Sequence, residues 1–518
     1  METSPTLTPP ARKMFGNRFF TWRLMRKVLF VLAALITLGA LFLAEENWRG
    51  SRAWTNYKRT MEAKGEHFDA ALLIPAKVPD DENFAVTPLL AAAFTLPPED
   101  PGQPVNIEKL EHGNIGLIPG GRWSSIAPAW EGTVVPPPHP LGWDFGMAKD
   151  LSSWAAAIHG TNATSVAAEI TEPDRAANII LDNMKSCEAT LAELRSAAAR
   201  RYCRFNIAYE EWGKTAVVEK SMQHLVLTKW LFRFLTLHAE AELVSSHSDE
   251  ALQDLRVMFR IDDGLKDEPL LISQLMRLAS TSVMLQSVGE GLAEQRWSEV
   301  QLQVLQERLS RIDLPASTVL AFHGERDICF NPSFDRDPVL PRCWNRLEQL
   351  NLNRAFNDTL LPRIDLARRE ISPSVNHSMD LSFQDSYGAK GFSALLHHHM
   401  MANLELPGYA HVGEKVAFVQ SEVDMAMLAC ALERYRLAQG QYPDTLNALV
   451  PRFAAALPHD IINGQPLKYR RTENGRFILY SIGWNEKDDG GVIAASKINP
   501  LRQDQLQGDW VFQYPDSP

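Results

Sequence analysis

The feature that most constrains this chain is an unbroken run of seventeen uncharged residues at 28–44, VLFVLAALITLGALFLA. A helix rises about 1.5 Å per residue, so this run, with Leu24 and Met25 ahead of it, is long enough for a hydrocarbon core of roughly 30 Å. The flanks differ in charge. Arg12, Lys13, Arg18, Arg23, Arg26 and Lys27 precede the run against the single acid Glu2, and Glu45 and Glu46 follow it. Basic flanks stay in the cytoplasm, which predicts a cytoplasmic leader at 1–27, one membrane-spanning anchor at 28–44, and a body outside the cytoplasm. A cleaved signal peptide is the competing reading. Phe42-Leu43-Ala44 puts a bulky residue where cleavage needs a small one, and the run is long for a signal core, which favours an uncleaved anchor. Trp48, Trp54 and Tyr57 suit either the headgroup region or the packed side of a helix that continues outward.

Nothing later in the chain repeats this pattern. The nearest segment, 395–406, is interrupted by three histidines and a glutamate. The 518 residues are 45% hydrophobic and 22% charged, ordinary globular values with room for two or three domains beyond the anchor. A net charge of −11, more negative still without the basic leader, argues against nucleic acid as a partner, because phosphate binding needs clustered Lys and Arg. Five cysteines (Cys187, Cys203, Cys329, Cys343 and Cys430) are too few for a disulfide framework. Cys187 with Cys203 and Cys329 with Cys343 are close enough in sequence to form isolated bridges. Buried thiols are the alternative.

The expected fold is mainly α, in five stretches: the leader at 1–27, the anchor at 28–44, a membrane-proximal helix and strap at 45–146, a helical body at 147–415, and an α+β ending at 416–518. Residues 45–68 read as a polar helix, with Trp48, Trp54, Tyr57 and Met61 near helical spacing. Proline and glycine then exclude long helices up to about Gly142. Phe84, Leu89, Leu90, Phe94, Ile115, Leu117, Trp123 and Trp130 are too apolar for a free linker, so this stretch is expected to lie as a strap over the body.

Helical periodicity dominates from Met147 to Arg311. Expected helices cover 227–244, a segment opened by Ser248 as cap and closed by Asp262-Asp263-Gly264, 268–286 with Pro269 in its first turn, and 298–311. Short turns between them imply antiparallel hairpins of tetratricopeptide type or a plain bundle, with no fixed repeat length. The segment FHGERDICFNPSFDRDPVLPRCW reads as a polar loop, and 347–369 returns to helix.

The most specific pattern closes the chain. Met425, Leu428, Leu432 and Tyr435 mark one face of a helix that stops at Gly440. A short helix follows Pro443, Asn463-Gly464 turns into a strand at 467–471, and Asn474-Gly475 turns into a second strand at 476–482. Trp510 to Phe512 is expected to join them, because a two-stranded hairpin alone is marginal in water. Tyr435, Arg436, Gly440, Tyr442 and Pro443, then Leu446, Leu449, Val450 and Pro451, then Gly464, Pro466 and Tyr469, and finally Leu479, Tyr480, Ser481 and Gly483 form a series. In that order they resemble the globular domain of the major pseudopilins of type II secretion systems, over about the last hundred residues. The whole chain also resembles large bacterial envelope proteins that combine an anchor, a helical body and this ending. The pseudopilin resemblance implies a small α+β fold and a calcium-binding terminal loop in which Asn485, Asp488 and Asp489 supply oxygens. It does not imply a fibre, because the anchor lacks a pilin-type processing site. The loop is no EF-hand: Lys487 and Ser496 stand where oxygen ligands belong.

His397, His398 and His399, with His377 and His411 nearby, are the best catalytic candidates. Consecutive helical residues point about 100° apart, so three in a row cannot share a metal as H-E-x-x-H does. No nucleophile elbow, phosphate loop or dinucleotide-binding pattern is present. The expectation is therefore a scaffold or protein-interaction protein of the bacterial cell envelope, held in the inner membrane with its body periplasmic and with no catalytic activity evident. A metal-dependent envelope hydrolase using His397 to His399 is the alternative.

Overall fold

The computed structural model describes residues 22–95, 149–158, 172–209, 223–336, 342–497 and 503–512. The chain is mainly helical, with one long apolar helix near its N-terminus and a small sheet region near its C-terminus. That helix, α1 (Trp22–Glu62), carries a window with a mean hydropathy of 2.4 and is long and apolar enough to cross a membrane. It does not end with the apolar run. The expected polar helix is its direct continuation.

After Glu62 the chain makes short 3-10 turns and a helix, α2 (Pro88–Thr95). Phe84, Leu89 and Leu90 are buried in the main core, so this first part of the strap lies against the body. Ile115, Leu117, Trp123 and Trp130 fall outside the described residues. The body continues through α3 (Leu151–Ile158), α4 (Pro173–Met184), α5 (Glu188–Ala197), α6 (Gln223–Val244), α7 (Ser248–Leu265), α8 (Leu271–Ala293), α9 (Glu299–Leu309) and α10 (Leu314–Gly324). Helices α6 and α7 run antiparallel: Thr236 reaches Met258 at 3.7 Å and His238 reaches Asp254 at 2.7 Å. Leu252, Leu255, Val257, Met258 and Phe259 form the buried side of α7, as the periodicity predicts. Ser298 caps α9 in a reciprocal box with Gln301.

Three local expectations are corrected. Helix α7 takes Ser248 as its first helical residue, with His247 at the cap position and no side-chain hydrogen bond there, and it ends at Leu265 directly after Asp262-Asp263-Gly264, where a Cβ on Gly264 would lie 2.6 Å from Cys203 Sγ. Pro269 precedes α8 instead of opening it, since its carbonyl lies against Gly324 of α10, where any larger residue would collide. The segment read as a polar loop is helical where described, continuing α10 as a π-helix (Glu325–Phe330) and α11 (Asn331–Arg336). Helix α12 (Arg342–Ala355) likewise passes into a π-turn (Phe356–Leu360). The remaining body helices are α13 (Pro373–Tyr387), α14 (Phe392–Leu396) and α15 (Met400–Glu405). Cys187, Cys203, Cys329 and Cys430 are free thiols, so the bridge between Cys187 and Cys203 is absent; the side chain of Cys343 lies outside the description.

The ending is built on α16 (Val412–Gln439), which stops at Gly440 in the left-handed region, φ 80°. Strands β1 (Lys468–Arg471) and β2 (Phe477–Ser481) pair antiparallel, and β5 (Trp510–Phe512) joins β2 on its other edge. β3 (Ile493–Ala495) and β4 (Gln503–Gly508) form a separate pair. Helix α16 packs on both sides: Phe418 stacks edge-on against Trp510 at 5.3 Å, while Gln420 bonds Leu314 N at 2.9 Å and the Ile312 carbonyl at 3.2 Å. One core therefore runs from the body through α16 to the sheet.

Candidate functional site

Helix α1 is docked where it leaves the apolar run. Its apolar half is fully exposed, whereas Glu46 and Gly50 are buried. Helix α12 runs beside it in the same direction. A Cβ on Gly50 would lie 3.2 Å from Arg346 Cβ and from Leu347, and seven residues further on Tyr57 accepts a hydrogen bond from Asn357 at 3.0 Å, with Arg354 over its ring. Glu46 takes a 2.5 Å hydrogen bond from Arg49 and lies 3.7 Å from His398 Nε2. A carboxylate next to an apolar run is stable there because it is paired.

The segment that follows α1 is pinned by Arg326. Its guanidinium is fully buried, 4.5 Å from the Phe68 ring centre, and donates to Glu66 (3.1 Å), the His67 carbonyl (2.8 Å), Asn357 (2.7 Å) and Asp327 (2.9 Å). Phe68 in turn meets Trp54 edge-on at 5.8 Å. Arg326 lies within the π-helical stretch Glu325–Phe330. Trp54 and Tyr57 are thus packing residues of the seam, while Trp48 remains exposed.

The three histidines lie at a break between helices. His397 ends α14, His399 precedes α15, and His398 between them adopts φ 56°. Their carbonyls and rings hold the corner: Asn351 donates to the carbonyls of His397 and His398, Trp344 meets the His398 ring, and Tyr387 meets the His399 ring. Glu348 caps α15 by accepting from Met400 N and Met401 N. Burial lowers the pKa of His398 and of His399. His377 is on α13, and His411 precedes α16. Among the described residues no group of three or more His, Cys, Asp or Glu side chains is placed to hold a metal.

In the terminal loop, Asp488 pairs with Lys468 at 3.2 Å and accepts from Gly490 N at 3.1 Å and Tyr480 OH at 3.0 Å, contacts that lower its pKa. Asn485 donates to Asp489 at 2.9 Å. The carboxylate that organises the loop is one the sequence pattern did not single out. Asp509 is buried and accepts from Asp489 N (3.2 Å), Gly491 N (2.6 Å) and Val492 N (3.3 Å). It lies about twenty residues away in sequence, so no local spacing signals it.

The body buries further polar clusters. His238 bonds Asp254, which also receives two hydrogen bonds from Arg195. Glu268 accepts from Ser273 and meets His224 at 3.1 Å. Here the carboxylate stands between serine and histidine, so the histidine cannot take the serine proton as a nucleophilic triad requires. Glu290 lies near Glu240, with Gln286 and Lys149 N donating to Glu290 and the Lys149 ammonium 2.6 Å from Glu240. No protein family, curated protein or solved structure matches this chain.

Proposed function

We propose that the chain is a membrane-anchored scaffold or protein-interaction protein of the bacterial cell envelope, with its leader in the cytoplasm and its body in the periplasm. The observation that carries this reading is the docking of α1: the apolar helix passes without a break into the seam with α12. A body fixed to its own anchor in this way is held in one attitude to the membrane, which suits presentation of a surface to a partner. The antiparallel α6–α7 pair supports a tetratricopeptide-like arrangement, a fold-level analogy. Gly440 and the β1-β2-β5 sheet support the pseudopilin-like reading of the ending.

An alkaline phosphatase fusion after Glu66 should be active and a cytoplasmic reporter there inactive, and the mature protein should retain its N-terminal peptide. The reverse result removes the orientation. Purification from solubilised membranes should bring down a stoichiometric protein partner. Stoichiometric zinc that disappears in His397→Ala or His399→Ala would instead establish the hydrolase alternative. Calcium at Asn485, Asp488 and Asp489, which the pseudopilin resemblance implies, requires the Lys468 ammonium to leave Asp488. Lys468→Ala should therefore enlarge the calcium-dependent rise in Tm, and Asp488→Ala should abolish it. A Tm that calcium moves in neither the native chain nor Lys468→Ala removes the calcium reading.

A further inference from the structure

A cleft of about 760 Å³ opens on the body between residues 72–78, residues 201–205 and the ends of α7 and α9. Its size is that of a small-molecule site. On a chain with a net charge of −11, its wall is unusually cationic: Arg201, Arg204, Arg260, Lys266, Arg308 and Arg311 face Asp263, Asp267 and Glu268.

Two of the three acids are committed, and the third, Asp267, feels the opposite charges of Lys266 and Arg277. Asp263 is shared by Arg260 at 3.1 Å, Arg308 at 2.7 Å and Lys266 at 4.0 Å. Glu268 is buried and engaged with His224 and Ser273. Arg311 pairs with Glu307 on its own surface. That leaves Arg201 and Arg204. Neither has a carboxylate partner among the described residues. Arg204 is fixed by donating to the Pro75 carbonyl at 3.0 Å and the Phe205 carbonyl at 3.5 Å, and Arg201 lies over the Tyr202 ring at 5.0 Å. Carbonyl anchoring and stacking both orient a guanidinium without neutralising it, which prepares it for an oxyanion. Beside them Leu73 and Ile74 supply an apolar margin.

We propose that this cleft binds a small organic anion, its phosphate or carboxylate group held by Arg201 and Arg204 and its body resting on Tyr202, Leu73 and Ile74. The site is independent of the anchor seam and adds a ligand to the scaffold role. Phosphate and carboxylate share the recognising chemistry, and the test separates them. The full chain in detergent is titrated with inorganic pyrophosphate in one arm and citrate in another, against chloride at matched ionic strength, following Tm and heat of binding. Saturable binding in either arm is expected, and the arm that saturates names the headgroup. Arg201→Glu, at an exposed position, should weaken it at least about tenfold with the unliganded Tm unchanged. Arg204→Gln should do the same, and its unliganded Tm reports whether the link to Pro75 has been lost. Absence of saturation in both arms overturns the proposal, as does binding that Arg201→Glu leaves intact.

Discussion

Glu290 shows how burial sets the behaviour of a single residue. Enclosed within α8 and close to the Glu240 carboxylate, its carboxyl is pushed up from 4.5 to about 8, first by desolvation and then by that neighbouring charge. The unfolded carboxyl ionises near 4.5 while the folded one keeps its proton to about 8. Between those values the native state binds more protons than the unfolded state, so stability falls as pH rises through this window and levels off above it. Glu290→Gln keeps an oxygen for Gln286 and Lys149 N and removes the ionisation. Denaturant unfolding at pH 5 and pH 8 should show a shallower loss in the variant, which should gain on the order of 1–3 kcal/mol at pH 8 relative to the native chain. Equal slopes in the two proteins would mean that Glu290 titrates normally. None of this was legible in the sequence, because a glutamate on a helix is ordinarily a solvated residue and only the fold brings Glu240 and Lys149 beside it.

At the scale of elements, the seam between α1 and α12 depends on one small residue. Gly50 allows the helices to approach until a Cβ would lie 3.2 Å from Arg346 Cβ. Gly50→Leu should force them apart, at a cost of about 1–3 kcal/mol. Hydrogen exchange should then accelerate through 49–57 and 342–355, with α6 to α8 unchanged. If the seam keeps its protection, α1 is not held by this contact. The helix itself was plain from the apolar run and the spacing of Trp54 and Tyr57, but its partner was not. The pinning residue Arg326 was hidden for a different reason. A π-helical turn breaks the 3.6-residue rhythm, so the segment after Gly324 reads as a polar loop although it is helical. Arg326→Ala should strand the buried Asp327 carboxylate and lower stability by about 3–5 kcal/mol, visible as a drop in Tm of the whole body. A variant with native Tm would show that Arg326 is not structural.

On the scale of the whole molecule, the ending and the body share α16. The Met425, Leu428, Leu432 and Tyr435 face was legible because large side chains mark it. The other faces were not, because Ala417, Ala426, Ala429, Cys430 and Ala431 are small and give little periodic signal, yet all are buried. A helix buried nearly all round needs packing on every side, and α16 finds it in the sheet and in α8, α9 and α10. Ser282 of α8 donates to Glu422 at 3.1 Å, and Arg434 donates to Glu299 at 2.9 Å and Gln306 at 2.8 Å on α9. Leu432→Asp places an unpaired carboxylate at a fully buried position of this shared helix and should cost about 3–5 kcal/mol. Because the core is continuous, the loss should appear as a single transition in which hydrogen-exchange protection falls in α6–α7 and in β1–β2 together. A fragment of 416–518 made alone should melt well below the full chain, since it lacks the surfaces of α8 and α9 that cover its helix. Two separate transitions in Leu432→Asp, with α6–α7 keeping native protection, would instead make 416–518 an autonomous unit that merely rests on the body.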